Sequence, residues 1–185
     1  VGSELDPIIF TSWADDAAGG DTNSDAGAST PASTDWGSID FVAGCAEAQS
    51  VLQHCIVRYG GSFQDGCCAR GEKAAVRVLG CSVQIEHCTI AHGRFGIELA
   101  APGGGTLADS TISDNALDGV VIAAGAPVVR GNLIRGNLRD GVRAGGTAAD
   151  LSDNRIEGNA RFPVTQNLDA APVYTGNLFA DNGRR

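Results

Sequence analysis

Apolar residues in this chain return at a fixed step. Four segments carry the pattern: Leu107-Ala-Asp-Ser-Thr-Ile112-Ser-Asp-Asn115, Val129-Arg-Gly-Asn-Leu-Ile134-Arg-Gly-Asn137, Leu151-Ser-Asp-Asn-Arg-Ile156-Glu-Gly-Asn159 and Tyr174-Thr-Gly-Asn-Leu-Phe179-Ala-Asp-Asn182. Ile112 to Ile134 is 22 residues, Ile134 to Ile156 is 22, and Ile156 to Phe179 is 23. A second column keeps the step: Gly96-Ile97, Gly119-Val120, Gly141-Val142 and Pro163-Val164. Two columns with one period are the mark of a solenoid, in which each repeat stacks on its neighbours. Within a unit the alternations are short, as in Val120-x-Ile122, and Gly, Asn and Asp interrupt them. That pattern predicts strands of three to five residues and leaves no room for a helix. The fold expected is all-β: a right-handed parallel β-helix of about six coils of ~22 residues, with two inserted loops. The column Asn115, Asn137, Asn159, Asn182 is expected to hold the left-handed conformation of a sharp turn. Stacked one rung apart, about 4.8 Å, its amides are also expected to hydrogen-bond from coil to coil.

Composition agrees with this reading. The chain has 185 residues, the length of one domain. It carries 26 glycines and only 5% aromatics, as a turn-rich solenoid with a thin aliphatic core requires. The net charge of −9 argues against a nucleic-acid or anionic-membrane partner. No apolar run is long enough to span a bilayer, so no membrane insertion is expected. There is no Met and no signal peptide, and the last strand has no amphipathic cap. The expectation is a single domain over 1–185 that is a piece of a longer chain and continues into, or docks on, further solenoid or domains.

Two stretches leave the period. Residues 13–35 form an acidic insertion with five Asp, one Asn and neither Lys nor Arg. Asp21-x-Asn23-x-Asp25 offers oxygen ligands at alternate positions, the spacing at the start of calcium loops. Ala26 stands where an EF-hand has Gly, and no Glu follows at the twelfth position. Asp15 and Asp16 complete the candidate ligand set Asp15, Asp16, Asp21, Asn23, Asp25, for a structural Ca2+. The other insertion, 61–73, carries Cys67 and Cys68 and lengthens the step from His54-Cys55 to His87-Cys88 to 33 residues. Long insertions on one side of a solenoid often form a binding face.

The N-terminal block adds a resemblance. Pro7-Ile-Ile-Phe-Thr-Ser12, then Asp15-Asp16, Gly19-Gly20-Asp21-Thr-Asn23-Ser-Asp25, and Pro31 to Asp35-Trp36-Gly37-Ser-Ile39 resemble a recurrent block of bacterial secreted right-handed parallel β-helix repeat proteins, within the pectate-lyase-like superfamily. The resemblance covers residues 7–60 and departs from the usual block at Ala26, Thr34 and Ser38. It implies the fold. It implies function poorly, since the superfamily spans lyases, hydrolases, epimerases, adhesins and stalks.

The six cysteines lie between residues 45 and 88. An even count in a Gly-rich acidic chain favours disulfides and an extracellular or cell-surface location. In coil register Cys45 and Cys81 follow the same strand in adjacent coils and can be bridged. Cys55 and Cys88 share the slot later held by Ser110, Asn132 and Asn154, as a disulfide or as two stacked buried thiols. Cys67 and Cys68 leave a vicinal bridge or a link to a neighbouring turn open.

Outward positions on the Gly-Ile/Val strand form the column Asp40, Arg77, Glu98, Val121, Arg143. Lyases of this fold use a calcium-binding carboxylate cluster with a basic residue, and hydrolases use paired acids. Asp40, Arg77 and Glu98 are therefore the catalytic candidates, weighed against an ordinary surface charge ladder. His54 and His87 align one coil apart in a slot that later reads Asp109, Gly131, Asp153, Gly176, which favours a turn position over a metal site. The outward columns lack the repeated Thr of an ice-binding face. The reading favoured is a non-catalytic extracellular β-helix scaffold or adhesion module with a calcium-stabilised loop, binding a polysaccharide or another protein. The alternative is a polysaccharide lyase or glycoside hydrolase.

Overall fold

The structure, a computed structural model, describes residues 1–45, 50–62, 73–102, 104–145 and 148–183. Cys67, Cys68 and most of the 61–73 insertion lie outside the described residues. Among the described residues, nineteen short strands build three parallel sheets of seven, six and six strands. The first sheet stacks Ile8–Phe10, Cys55–Arg58, Thr89–Ala91, Thr111–Ser113, Leu133–Arg135, Arg155–Glu157 and Leu178–Ala180. The second stacks Ile39–Phe41, Ala74–Val78, Phe95–Leu99, Val120–Ile122, Val142–Ala144 and Val164–Gln166. The third stacks Val51–Gln53, Gln84–Glu86, Thr106–Ala108, Val128–Arg130, Asp150–Ser152 and Val173–Thr175. The chain visits the second, third and first sheets in turn, and each circuit advances one rung. The described residues contain no helix.

The period-2 alternation decides which side chains face in. Ile90, Ile112, Ile134 and Ile156 line the first sheet, Ile85, Leu107, Val129 and Leu151 the third, and Ile97, Val120 and Val142 the second, all fully buried. Burying each such side chain contributes about 1.5–3 kcal/mol. In the final coil the inward Tyr174 and Phe179 are 43% and 47% exposed, whereas their register partners Leu151 and Ile156 are at 0%.

Both corners flanking the first sheet turn within a residue or two. The residue that turns is left-handed, and it is not the asparagine. On one side it is His54, His87, Asp109, Gly131, Asp153 and Gly176; on the other it is Tyr59, His92, Asp114, Gly136, Gly158 and Asp181. The Asn column read from sequence as the left-handed position is thus displaced by one residue. The reason is steric: the ladder residue must point inward, and the residue before it makes the bend.

The asparagines themselves form the coil-to-coil ladder. Asn115 Nδ2 donates to Asn137 Oδ1, Asn137 to Asn159 and Asn159 to Asn182, each at 2.9 Å. Each of these oxygens also accepts the backbone N–H of the rung before, at 3.1–3.2 Å. The other corner carries a second ladder, in which Asn132 donates to Asn154 and Asn154 to Asn177, each at 3.0 Å. Ser110 joins it: its N–H donates to Asn132 Oδ1 at 3.0 Å, and its hydroxyl accepts the Cys88 N–H at 3.0 Å. The ladders explain the glycine column. A Cβ on Gly119 would lie 2.6 Å from Asn137 Nδ2, and one on Gly141 would lie 2.9 Å from Asn159 Nδ2.

At the N-terminal end the acidic insertion is tied to the solenoid body. Asp15 pairs with Arg58 at 2.6 Å, Ser12 donates to Asp35 at 2.6 Å, and Trp36 Nε1 donates to the Arg58 carbonyl at 2.8 Å. Cys45 and Cys81 form a disulfide between adjacent coils, with Cα atoms 6.1 Å apart. Cys55 and Cys88 are buried free thiols.

Asn137→Ala removes an acceptor from two buried donors on Asn115 and a donor from Ile112 and Asn159. Each buried group left unpaired costs about 1–3 kcal/mol, so urea denaturation should show a loss of about 3 kcal/mol or more. Asn182→Ala, on the partly buried last rung, should lose clearly less.

Candidate functional site

The acidic loop brings three of its five candidate ligands together. Ligand-type oxygens of Asp16, Asp21 and Asp25 all lie within 4.8 Å of one another, the one such group of three among the described residues. Asp15 is elsewhere: 3% exposed, it turns to the solenoid, where it pairs with Arg58 and accepts from the Thr11 hydroxyl. Asn23 sits inside the loop. Its Nδ2 donates to Asp25 at 2.8 Å and to Ser29 at 2.7 Å, while its Oδ1 accepts the Asp25 N–H at 3.3 Å. Local side-chain-to-backbone bonds shape the loop. Asp21 accepts the N–H groups of Asp25 and Ala26, and Asp25 accepts those of Gly27, Ala28 and Ser29.

The carboxylates are electrostatically unequal. The Ser29 hydroxyl, assisted by the Ser29, Ala28 and Gly27 N–H groups, holds Asp25 below the usual aspartate value against a smaller effect of burial. Asp16 is pushed the other way, first by desolvation and then by the charges of Asp21, Asp25 and Asp15. Its Oδ1 is shielded from solvent and has no hydrogen-bond partner. A cation at this point would relieve that repulsion, the chemistry expected of a hard oxygen-ligand site.

The outer face of the second sheet carries the residues considered for catalysis. Register places Asp40 beside Arg77, Arg77 beside Glu98, Glu98 beside Val121 and Val121 beside Arg143. Arg77 bridges its neighbours, with Nη1 3.1 Å from Asp40 and Nε 3.0 Å from Glu98. Both acids are therefore paired to one guanidinium.

Sequence reading missed two carboxylates on the same side. Asp118 and Asp140, in the repeated Asp-Gly-Val steps, are almost fully buried. Asp118 accepts the Asp140 N–H at 3.1 Å and pairs with Arg143 at 2.8 Å and Arg139 at 3.4 Å. Asp140 accepts the Phe162 N–H at 3.2 Å and the Thr165 hydroxyl at 2.9 Å. The signal was present in the recurrence of Asp at a 22-residue step, but it resembles a turn residue. Arg143 is held by Asp118 over the Phe95 ring, 5.8 Å from its centroid. Around it lie two cavities of about 120 and 350 Å³, which share Val121 and Arg143 and extend to Glu98 and Asn167. The result is a shallow groove with an apolar floor, a fixed guanidinium and polar ends.

The histidines take turn positions. The His54 and His87 rings stack with centroids 5.0 Å apart and an interplanar angle of 13°, and Tyr59 stacks on His92 at 5.4 Å. Stacked parallel rings do not converge on one ion.

Three parallel sheets wound on a 22-residue coil define the class as a parallel β-solenoid. A family model described as a right handed beta helix region matches residues 43–184, and the chain belongs to that family. No curated protein and no solved structure gives a significant match to the chain. A solenoid of this kind supplies a scaffold with extended faces for binding. No helix among the described residues is long and apolar enough to cross a membrane.

Asp118→Ala leaves a buried N–H unpaired and releases two arginines. It should lower stability by about 2–3 kcal/mol, whereas Asp40→Ala, in a partly exposed pair, should cost less than about 1 kcal/mol. Urea midpoints of the two variants test the contrast.

Proposed function

We propose that this chain is a non-catalytic extracellular β-helix scaffold that binds a glycan along the outer groove of the second sheet, with a calcium-stabilised loop at its N-terminal end. The observation that carries the reading is the Asp40–Arg77–Glu98 ion-pair ladder. Acid–base chemistry on a glycosidic bond or a uronate needs a free acid or base poised at the bond, and here one arginine engages both acids. The groove around Phe95, Val121 and Arg143 supports binding without chemistry: an apolar floor for a sugar ring and a guanidinium for a hydroxyl or carboxylate. The extracellular assignment rests on the Cys45–Cys81 disulfide. The resemblance of residues 7–60 to secreted pectate-lyase-like repeats supports the same reading.

The calcium assignment rests on Asp16, Asp21 and Asp25. Binding to the folded state alone stabilises it by about 2.7 kcal/mol at a hundredfold excess over Kd. Thermal unfolding at matched ionic strength should therefore shift upward with calcium, but not sodium, and return with chelator. An unchanged midpoint removes the ion from the account. Asp16→Asn should abolish the calcium shift without lowering the ion-free midpoint, because it removes a carboxylate that its neighbours repel. The sign with pH follows from Asp16, whose raised value lets protons compete with the ion, so the shift should shrink as pH falls into the carboxylate range. For the groove, calorimetric titration with uronate and neutral oligosaccharides should show binding that Arg143→Ala weakens at least tenfold and no release of products. Product release would restore the lyase or hydrolase reading.

A further inference from the structure

Cys55 and Cys88 occupy the slot that later holds Ser110, Asn132, Asn154 and Asn177, the residues of one corner ladder. The pairing of Ile56 with Thr89 sets the two cysteines opposite one another in adjacent rungs, about 4.8 Å apart along the stack. That separation lies within the Cα–Cα range a disulfide spans. Both side chains face inward and are 2% exposed. Each thiol donates to a carbonyl two residues back, Cys55 to Gln53 at 3.3 Å and Cys88 to Glu86 at 3.2 Å. Here alone, among the described rungs of this ladder, the slot holds sulfur.

Both thiols pack in the core, and an open cleft of about 590 Å³ borders these two residues between Glu4, His54, His87 and Asp109. The same pair of coils already carries one cross-rung disulfide, Cys45–Cys81.

We propose that Cys55 and Cys88 are a thiol–disulfide exchange site, which takes a low-molecular-weight disulfide through this cleft and closes into a second cross-rung bridge. One protein thiolate attacks a sulfur of the small disulfide, forming a mixed disulfide and expelling one small thiolate. The second protein thiolate attacks the protein sulfur of that mixed disulfide and expels the other. The two protons lost by Cys55 and Cys88 end on the two small thiols; the protein is oxidised by two electrons and the reagent reduced by two. Burial pushes the Cys88 thiol up to about 11, so closure accelerates as pH rises and more thiolate forms.

The test uses the full chain with Cys67→Ser and Cys68→Ser, which leaves Cys55 and Cys88 as its two thiols once Cys45 and Cys81 have joined. Oxidised glutathione is the probe. Thiols titratable after unfolding should fall from two to none, peptide mapping should recover a Cys55–Cys88 link without retained glutathione, and the thermal midpoint should rise by several degrees and return on reduction. Two thiols still titratable, or glutathione retained at equilibrium, overturns the proposal. Cys55→Ser and Cys88→Ser each keep a residue that the ladder already accepts at Ser110, so folding is retained. At least one of them should trap a stable glutathione adduct; no adduct in either also overturns the proposal.

Discussion

A coil that turns corners within one or two residues leaves backbone N–H groups inside the molecule, out of reach of water. Each must find an acceptor, because a buried unpaired donor costs as much as a sizeable fraction of a domain's stability. The inward asparagines supply it. Each Oδ1 takes the N–H and the amide of the rung before, and each Nδ2 passes the bond forward. The rest of the solenoid follows from this contact. It fixes the register from rung to rung, since slipping by one residue would put the amide on the wrong face. It requires bare Cα atoms at Gly119 and Gly141, and it leaves the preceding residue to make the left-handed bend.

The ladder was legible in the sequence because Asn recurs from Asn115 to Asn182 at steps of 22, 22 and 23 residues, and the strand alternation around it gave the core. What escaped was the division of labour between neighbours. Asp114-Asn115 and Gly136-Asn137 read as one turn signal, yet one residue bends and the other pairs. The second ladder, Asn132 to Asn177, was visible as a slot and not as a hydrogen-bonded column, because Cys and Ser fill it in the earlier coils. Asp118 and Asp140 were passed over because burial of a carboxylate depends on arginines 21–25 residues away, Arg139 and Arg143 for Asp118. Within the acidic loop the sequence grouped Asp15 with Asp16, whereas Asp15 is adjacent to Asp16 only in the chain and paired with Arg58 in space.

The molecule changes character along its length. From Asn115 onward the coils are held by repeated amides. In the earlier coils both ladder slots lose their asparagine, to Gly60 and Gly93 at one corner and to Cys55 and Cys88 at the other. Other devices stand there instead: the Cys45–Cys81 disulfide, the His54–His87 and Tyr59–His92 stacks, and Trp36 bonded to the Arg58 carbonyl. The acidic loop and the cleft beside Cys55 and Cys88 belong to the same end, and the 61–73 insertion falls there in sequence. Family membership rests on residues 43–184; the departures from the regular repeat are concentrated in the coils before Phe95. The proposed ion in the acidic loop and the proposed thiol exchange at Cys55 and Cys88 both fall in this irregular end, ahead of the regular repeats.

Native-state hydrogen exchange, resolved residue by residue, tests the central role of the ladders most directly. If the cross-rung amides are what the solenoid depends on, the backbone N–H groups of Asn115, Asn132, Asn137 and Asn154 should exchange only through global unfolding, with free energies at the maximum for the chain. Exchange of these four through local opening, while the flanking strands stay protected, would contradict the account and leave aliphatic packing alone as the source of the fold.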